Sequence, residues 1–294
     1  MPRASHHADG IEIEIEYETF GDPEDPALLL VMGLGAQMIS WEEELCEGLV
    51  DRGFFVIRFD NRDVGLSTKI DADVNVVESA MAAFAGQKIE APYLLTDMAA
   101  DAMSVLDDLG IAQAHIVGAS MGGMISQTIA IEHPERVRSL TSIMSTTGDP
   151  DVGQPNPDVL PLLLQAPPPD RDGAVANSVA VSKAIGSPEH LDEERLRIRA
   201  ERAYDRCFYP RGTGQQLVAI LASGSRSDAL RKIAVNTLVV HGDIDPLINV
   251  TGGERTAEVI DGAELLILEG MGHDLPVNYW SAVIEAITAL AARS

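Results

Sequence analysis

The stretch Ala114-His115-Ile116-Val117-Gly118-Ala119-Ser120-Met121-Gly122-Gly123-Met124 runs from an apolar, strand-forming segment through a glycine-flanked turn into a helix-forming one. Small residues at 118 and 122 let the chain turn tightly about a strained position. Ser120 then projects above a sheet at the start of the next helix, as a candidate nucleophile. A serine that merely caps a helix N-terminus is the plainer alternative. The strand before it and the helix after it are the context that a nucleophile requires.

Working outward, the segments 27–32, 54–59, 114–117, 140–144, 237–241 and 263–268 are short, almost continuous runs rich in Val, Ile and Leu. Strands buried on both faces read this way, which is the condition of a parallel sheet. Helical patterns lie between them at 41–51, 94–109, 121–133, 253–260 and 279–292. In the second of these Met98, Ala102, Val105, Leu106 and Leu109 share one face, and Gly110 supplies a stop. The alternation predicts an α/β fold with a mostly parallel, doubly wound sheet. Ile11 to Glu18 differs: apolar and acidic residues alternate with period two, which predicts an antiparallel edge strand with one wet face.

The rhythm breaks between about Gly148 and Ser227, where no strong strand is read and prolines at 155, 157, 161 and 167–169 punctuate the chain. A bare loop of that length is uncommon in a compact fold, and 191–207 reads as a charged amphipathic helix. The expected organisation is therefore a core of residues 1–147 and 228–294 with a helical cap or lid inserted at 148–227.

Composition narrows the partners. A net charge of −25, from 46 acidic and 21 basic side chains, repels phosphate backbones and anionic lipid, arguing against nucleic-acid and membrane-surface binding. No apolar run of about 18 residues is present, so no membrane span is expected. The start of the chain, with His6 and His7, lacks an apolar core of signal-peptide length and reads as a solvated tail. Cys46 and Cys207 match no metal spacing and read as reduced thiols, as in a cytoplasmic protein. The sequence admits a homodimer without specifying one.

A serine hydroxyl needs a base. Of seven histidines, His6 and His7 lie in the tail, His115 and His241 sit in apolar strands, His133 precedes Pro134, and His190 falls in the insertion. His273 follows a strand in the Gly-rich loop Glu269-Gly270-Met271-Gly272-His273, on the side of the sheet expected for Ser120. The base in turn needs a carboxylate to hold its tautomer and stabilise imidazolium. Asp245, before Pro246 and just beyond the strand at 237–241, is the better placed candidate. Asp243 reads as its turn-forming neighbour, and Asp149 as a weaker alternative. The chain order Ser120, Asp245, His273 suits a doubly wound hydrolase sheet. Backbone donors for a developing oxyanion are expected at Met121, after the nucleophile, and at Leu34, in the loop Met32-Gly33-Leu34-Gly35. Met32, Met38, Trp41, Met124 and Met271 group by motif around these positions. Methionines adapt to irregular apolar shapes, so they are candidates for lining an acyl pocket, with plain core packing as the alternative. Asp60-Asn61-Arg62-Asp63-Val64-Gly65-Leu66-Ser67 is expected to brace the loops beneath the site, with an internal Arg62–Asp63 ion pair.

The turn at Ser120, the 60–67 stretch, the Gly-Asp-x-Asp-Pro segment at 242–246 and Gly-Met-Gly-His at 270–273 together resemble the α/β-hydrolase superfamily. Within it the chain is similar to the aclacinomycin methylesterases and related actinobacterial carboxylesterases, from Gly21-Asp22-Pro23 to His273 and least in the insertion. Met32 stands where the wider superfamily usually has His-Gly. The resemblance implies a Ser120–His273–Asp245 triad, oxyanion donors at Leu34 and Met121, a small-molecule ester substrate, and no metal or organic cofactor. Thioester hydrolysis, C–C hydrolysis, perhydrolysis and a slow-turnover ligand receptor stay open on the same residues.

Overall fold

A computed structural model describes residues 2–8, 10–159, 161–162 and 167–294; positions 160 and 163–166 of the expected insertion lie outside the described residues. The strands are β1 (Arg3–Ala8), β2 (Ile11–Phe20), β3 (Ala27–Val31), β4 (Phe55–Phe59), β5 (Ala114–Ala119), β6 (Val137–Ile143), β7 (Asn236–Gly242) and β8 (Glu264–Leu268). They form one sheet in the order β1-β2-β4-β3-β5-β6-β7-β8. β1 and β2 run antiparallel to their neighbours, and every later pairing is parallel. The helices are α1 (Glu43–Val50), α2 (Val76–Phe84), α3 (Leu95–Asp108), α4 (Met121–Glu132), α5 (Arg171–Ile185), α6 (Glu193–Arg206), α7 (Pro210–Ser223), α8 (Ser227–Leu230), α9 (Thr251–Val259) and α10 (Val277–Ala291). Among the described residues no helix is long and apolar enough to cross a membrane.

Two hydrophobic clusters explain the continuous apolar runs. Leu29 and Val31 of β3 face a layer built from α3 and α4, while Leu28 and Leu30 face one built from α1 and α10. Side chains alternate across a strand, so a strand covered on both sides must be apolar at every position. β8 departs from that expectation. It is an edge strand, and Leu265 and Ile267 remain about two-fifths exposed.

The amino-terminal region corrects two expectations. Arg3–Ala8 is not a solvated tail but the outermost strand, and Ile11–Phe20 is therefore paired on both sides rather than at the edge. The tail is held by specific partners. Arg3 Nε donates to the buried Glu16 carboxylate at 2.7 Å, and His6 Nε2 lies 2.6 Å from Asp101 Oδ1. The stretch 72–92, unassigned from sequence, contributes α2, which packs on α7. Between β6 and β7 the described residues form no strand: an irregular stretch at 144–159 is followed by the helices α5 to α8.

His115 is buried in β5, with Nδ1 2.8 Å from Ser139 Oγ and its ring edge-on to Phe54. Burial, reinforced by the charge of Arg138, lowers its pKa to about 4. The unfolded chain takes up this proton near pH 6.5, so the neutral histidine contributes stability above that pH. The contribution is lost as pH falls from about 6.5 through 4. Thermal melts across this window should show a loss on the order of 1–3 kcal/mol, and His115→Gln should flatten it; equal slopes in the two proteins would contradict the assignment.

Candidate active site

Ser120 occupies the hinge between β5 and α4 with φ 57° and ψ −122°, a backbone region that L-residues seldom adopt and that clusters at functional sites. The residues two positions before and after it must be glycine. A Cβ at Gly118 would stand 2.1 Å from the Gly122 carbonyl oxygen, and one at Gly122 would stand 2.0 Å from that of Val31. The turn is then pinned from β6: Ser120 N donates to the Ile143 carbonyl at 2.9 Å, and Ser145 Oγ donates to the Ser120 carbonyl at 2.8 Å.

The loops after β7 and β8 bring Asp245 and His273 to this turn. His273 Nε2 lies 3.0 Å from Ser120 Oγ, and His273 Nδ1 lies 2.7 Å from Asp245 Oδ2. Asp245 is buried and accepts from the backbone amides of Leu247 and Ile248 through Oδ1, at 2.8 and 2.9 Å. Burial alone would raise its pKa. The charge of His273 and hydrogen bonds from His241, His273 and Ile248 outweigh it, and the carboxyl is held at about 2. An ionised Asp245 requires the proton on Nδ1, which leaves Nε2 free to accept the Ser120 hydroxyl proton.

The other candidates are accounted for by their partners. Asp243 accepts from Gly270 N at 2.7 Å and so ties the two loops together. Asp149 is engaged by Ser225, Ser227 and Arg255. His241 is fully buried and donates Nε2–H to the Ile248 carbonyl at 2.8 Å, with Asp245 Oδ2 3.4 Å away; its nearness to the acid had no sequence signal beyond a shared segment.

The loop at 32–38 passes close over Ser120, since a Cβ at Gly33 would come within 3.1 Å of the Ser120 Cβ. Among the described residues the amides of Leu34 and Met121 donate to no protein acceptor. The loop is braced at three points. Asn61 Nδ2 donates to the Met32 carbonyl at 2.9 Å, Met38 N donates to Asp60 Oδ1 at 2.8 Å, and Gly35 N donates to Gln216 Oε1 of α7 at 2.8 Å. The first two come from the 60–67 segment. Gln216, 181 residues from Gly35 in sequence, is a brace that no motif announced.

The Arg62–Asp63 ion pair does not form. Adjacent residues diverge here because Asp63 takes φ 71°. Arg62 instead grips Asp101 of α3 through Nε and Nη2, at 2.6 and 2.7 Å. Asp63 accepts from Tyr93 OH, Gln215 Nε2 and Ile70 N. The five apolar pocket candidates are all buried. Met32, Trp41 and Met271 lie in the cluster with α1 and α10, Met124 lies in the opposite cluster, and Met38 is fully enclosed. Cys46 and Cys207 are free thiols, and burial pushes that of Cys46 up to about 12.

A parallel-rich sheet, a serine on a strained strand–helix turn, and a histidine and an aspartate from the last two strand ends describe one class of protein. The chain belongs to the alpha/beta hydrolase fold family, whose profile matches residues 26–277. Its relatives include the rhodomycin D methylesterase DnrP of Streptomyces peucetius, 29% identical over 300 residues covering 95% of each chain. The rhodomycin D methylesterase DauP of Streptomyces sp. (strain C5) is 30% identical over 304 residues, again 95% of each. Among solved structures, the enol-lactonase from Burkholderia xenovorans LB400 superposes with a TM-score of 0.75 over 98% of this chain and 99% of that one. At 21% identity that likeness is one of fold.

Proposed function

We propose that this protein is a serine carboxylesterase that hydrolyses small to medium carboxylic esters through an acyl-enzyme. The observation that carries the reading is the continuous line from Asp245 Oδ2 through the His273 ring to Ser120 Oγ, at 2.7 and 3.0 Å. Ser120 attacks the ester carbonyl as its proton passes to His273 Nε2. The amides of Leu34 and Met121 stabilise the oxyanion, each worth about 2.7–4 kcal/mol in the transition state. The tetrahedral intermediate collapses, the alkoxide leaves with the proton from His273, and water repeats the sequence on the acyl-enzyme to release the acid. The two rhodomycin D methylesterases are named for a methyl ester, which supports a small leaving alcohol here.

A chain-length series of p-nitrophenyl esters, run beside a matched thioester panel, tests the reading. Turnover of the acetate or butyrate is expected, with kcat/KM falling as the acyl chain outgrows the site and with esters preferred over thioesters. Faster thioester hydrolysis would reassign the substrate class. Absence of turnover in all of them would overturn the esterase.

A further inference from the structure

The first half of the base loop is tied to the core, with Gly270 N donating to Asp243 at 2.7 Å and Ile244 N to the Met271 carbonyl at 3.3 Å, but from Gly272 onward it is fastened to the insertion. Three successive residues of the loop, Gly272, His273 and Asp274, meet three successive residues at the end of α5, Ile185, Gly186 and Ser187. His273 N donates to the Ile185 carbonyl at 2.7 Å, and Gly272 N donates to Ser187 Oγ at 2.9 Å. Ser187 returns both of its donors to Asp274 Oδ1, the hydroxyl at 2.5 Å and the amide at 3.0 Å. The backbones lie so close that a Cβ on Gly272 would stand 2.5 Å from the Gly186 carbonyl carbon. One on Gly186 would stand 2.7 Å from Asp274 Oδ2. Ser187 is fully buried, so water cannot take the place of these partners without the segment moving.

We infer that Ser187 and Asp274 are positioning residues for His273, forming a clasp through which the insertion sets the height and tilt of the imidazole over Ser120. Two hydrogen bonds of the imidazole itself, to Asp245 and Ser120, fix its ring direction. Neither fixes the backbone from which the ring hangs. Among the described residues, the amides of Gly272 and His273 are held only by Ser187 and Ile185. A displacement of about 1 Å in a catalytic group can cost 100-fold in rate, so the clasp bears on turnover far more than on substrate binding. The insertion thereby completes the alignment of the base.

The inference rests on His273 being the base, and the test separates the two. Ser187→Ala, Asp274→Ala and Asp274→Asn are assayed with p-nitrophenyl butyrate, next to His273→Ala, with active sites counted by burst titration and folding followed by thermal melts. Ser187→Ala and Asp274→Ala are expected to lose about 10- to 100-fold in kcat, with KM changed less than about threefold. Asp274→Asn keeps an oxygen for both Ser187 donors and is expected to recover most of the loss seen with alanine. Wild-type kcat per active site in both alanine variants, with His273→Ala inactive, would overturn the clasp and leave the base in place. Equal losses in Asp274→Asn and Asp274→Ala would also overturn it, because the charge rather than the hydrogen-bonded geometry would then matter. Full activity in His273→Ala would remove the reading beneath both.

Discussion

Ser120→Ala is expected to lower kcat for p-nitrophenyl acetate by roughly 10⁴- to 10⁶-fold while leaving the melting temperature within a degree or two of the parent. The size follows from the way a nucleophile and its base act as a unit: removing either forfeits most of the catalysis, and what remains comes from oxyanion stabilisation and binding. Stability is spared because, among the described residues, Ser120 Oγ has a single protein partner, His273 Nε2, whereas the strained turn is held by bonds to its backbone that alanine keeps. Steady turnover assayed at micromolar enzyme would read the effect. A variant within tenfold of the parent would end the acyl-enzyme scheme, whatever the ester panel showed.

The largest effect on stability is expected at Asp101. Its side chain is buried, and its two oxygens receive Arg62 Nε and Nη2, while Oδ1 also meets His6 Nε2. Arg62 is itself buried, stacks on the Tyr93 ring, and reaches the Asp97 carbonyl at 3.1 Å. Removing one partner of a buried pair leaves an uncompensated charge and costs about 3–5 kcal/mol. Asp101→Ala should therefore lower the urea midpoint in proportion and drop the melting temperature by roughly 10 °C. Replacing both members, as Arg62→Met with Asp101→Leu, should recover much of the loss, since an apolar pair of similar volume is often neutral or better. A cost below about 1 kcal/mol for Asp101→Ala would mean that the pair behaves like an exposed one. The consequence reaches the site, because Arg62 lies beside Asn61 and Asp60, which brace the loop carrying Leu34.

Much of this architecture is legible in the chain itself, and particular elements show why. The runs at β3, β4, β5, β6 and β7 read as doubly covered strands because the signal is local: a strand with helices on both sides needs apolar residues at every position. β8 carries the same signature yet lies at the edge, and Ile11–Phe20 carries an edge signature yet is paired on both sides. Neighbour number is a property of the assembled sheet. Period two cannot show whether another strand, here one formed by residues that read as tail, will close the last row of hydrogen bonds. The helix α2 goes unassigned from sequence because its nine residues are apolar on most sides rather than on one, and no core claims them: Val77 and Met81 stay exposed.

The sequence by itself determined the strand–turn–helix at Ser120, since Gly118 and Gly122 are dictated by carbonyl oxygens about 2 Å from where a Cβ would be. It also determined the order of Ser120, Asp245 and His273 along the strand ends of a doubly wound sheet. Only the tertiary structure decided that Asp245 rather than Asp243 meets His273, that Arg62 reaches Asp101 rather than its neighbour Asp63, and that Ser187 holds the base loop from the insertion. These partners lie 28, 39 and 85 residues apart. Backbone preference and periodicity act over a few residues, so they specify a turn. Which side chains meet across such separations is set by how sheet, helices and insertion pack into one body.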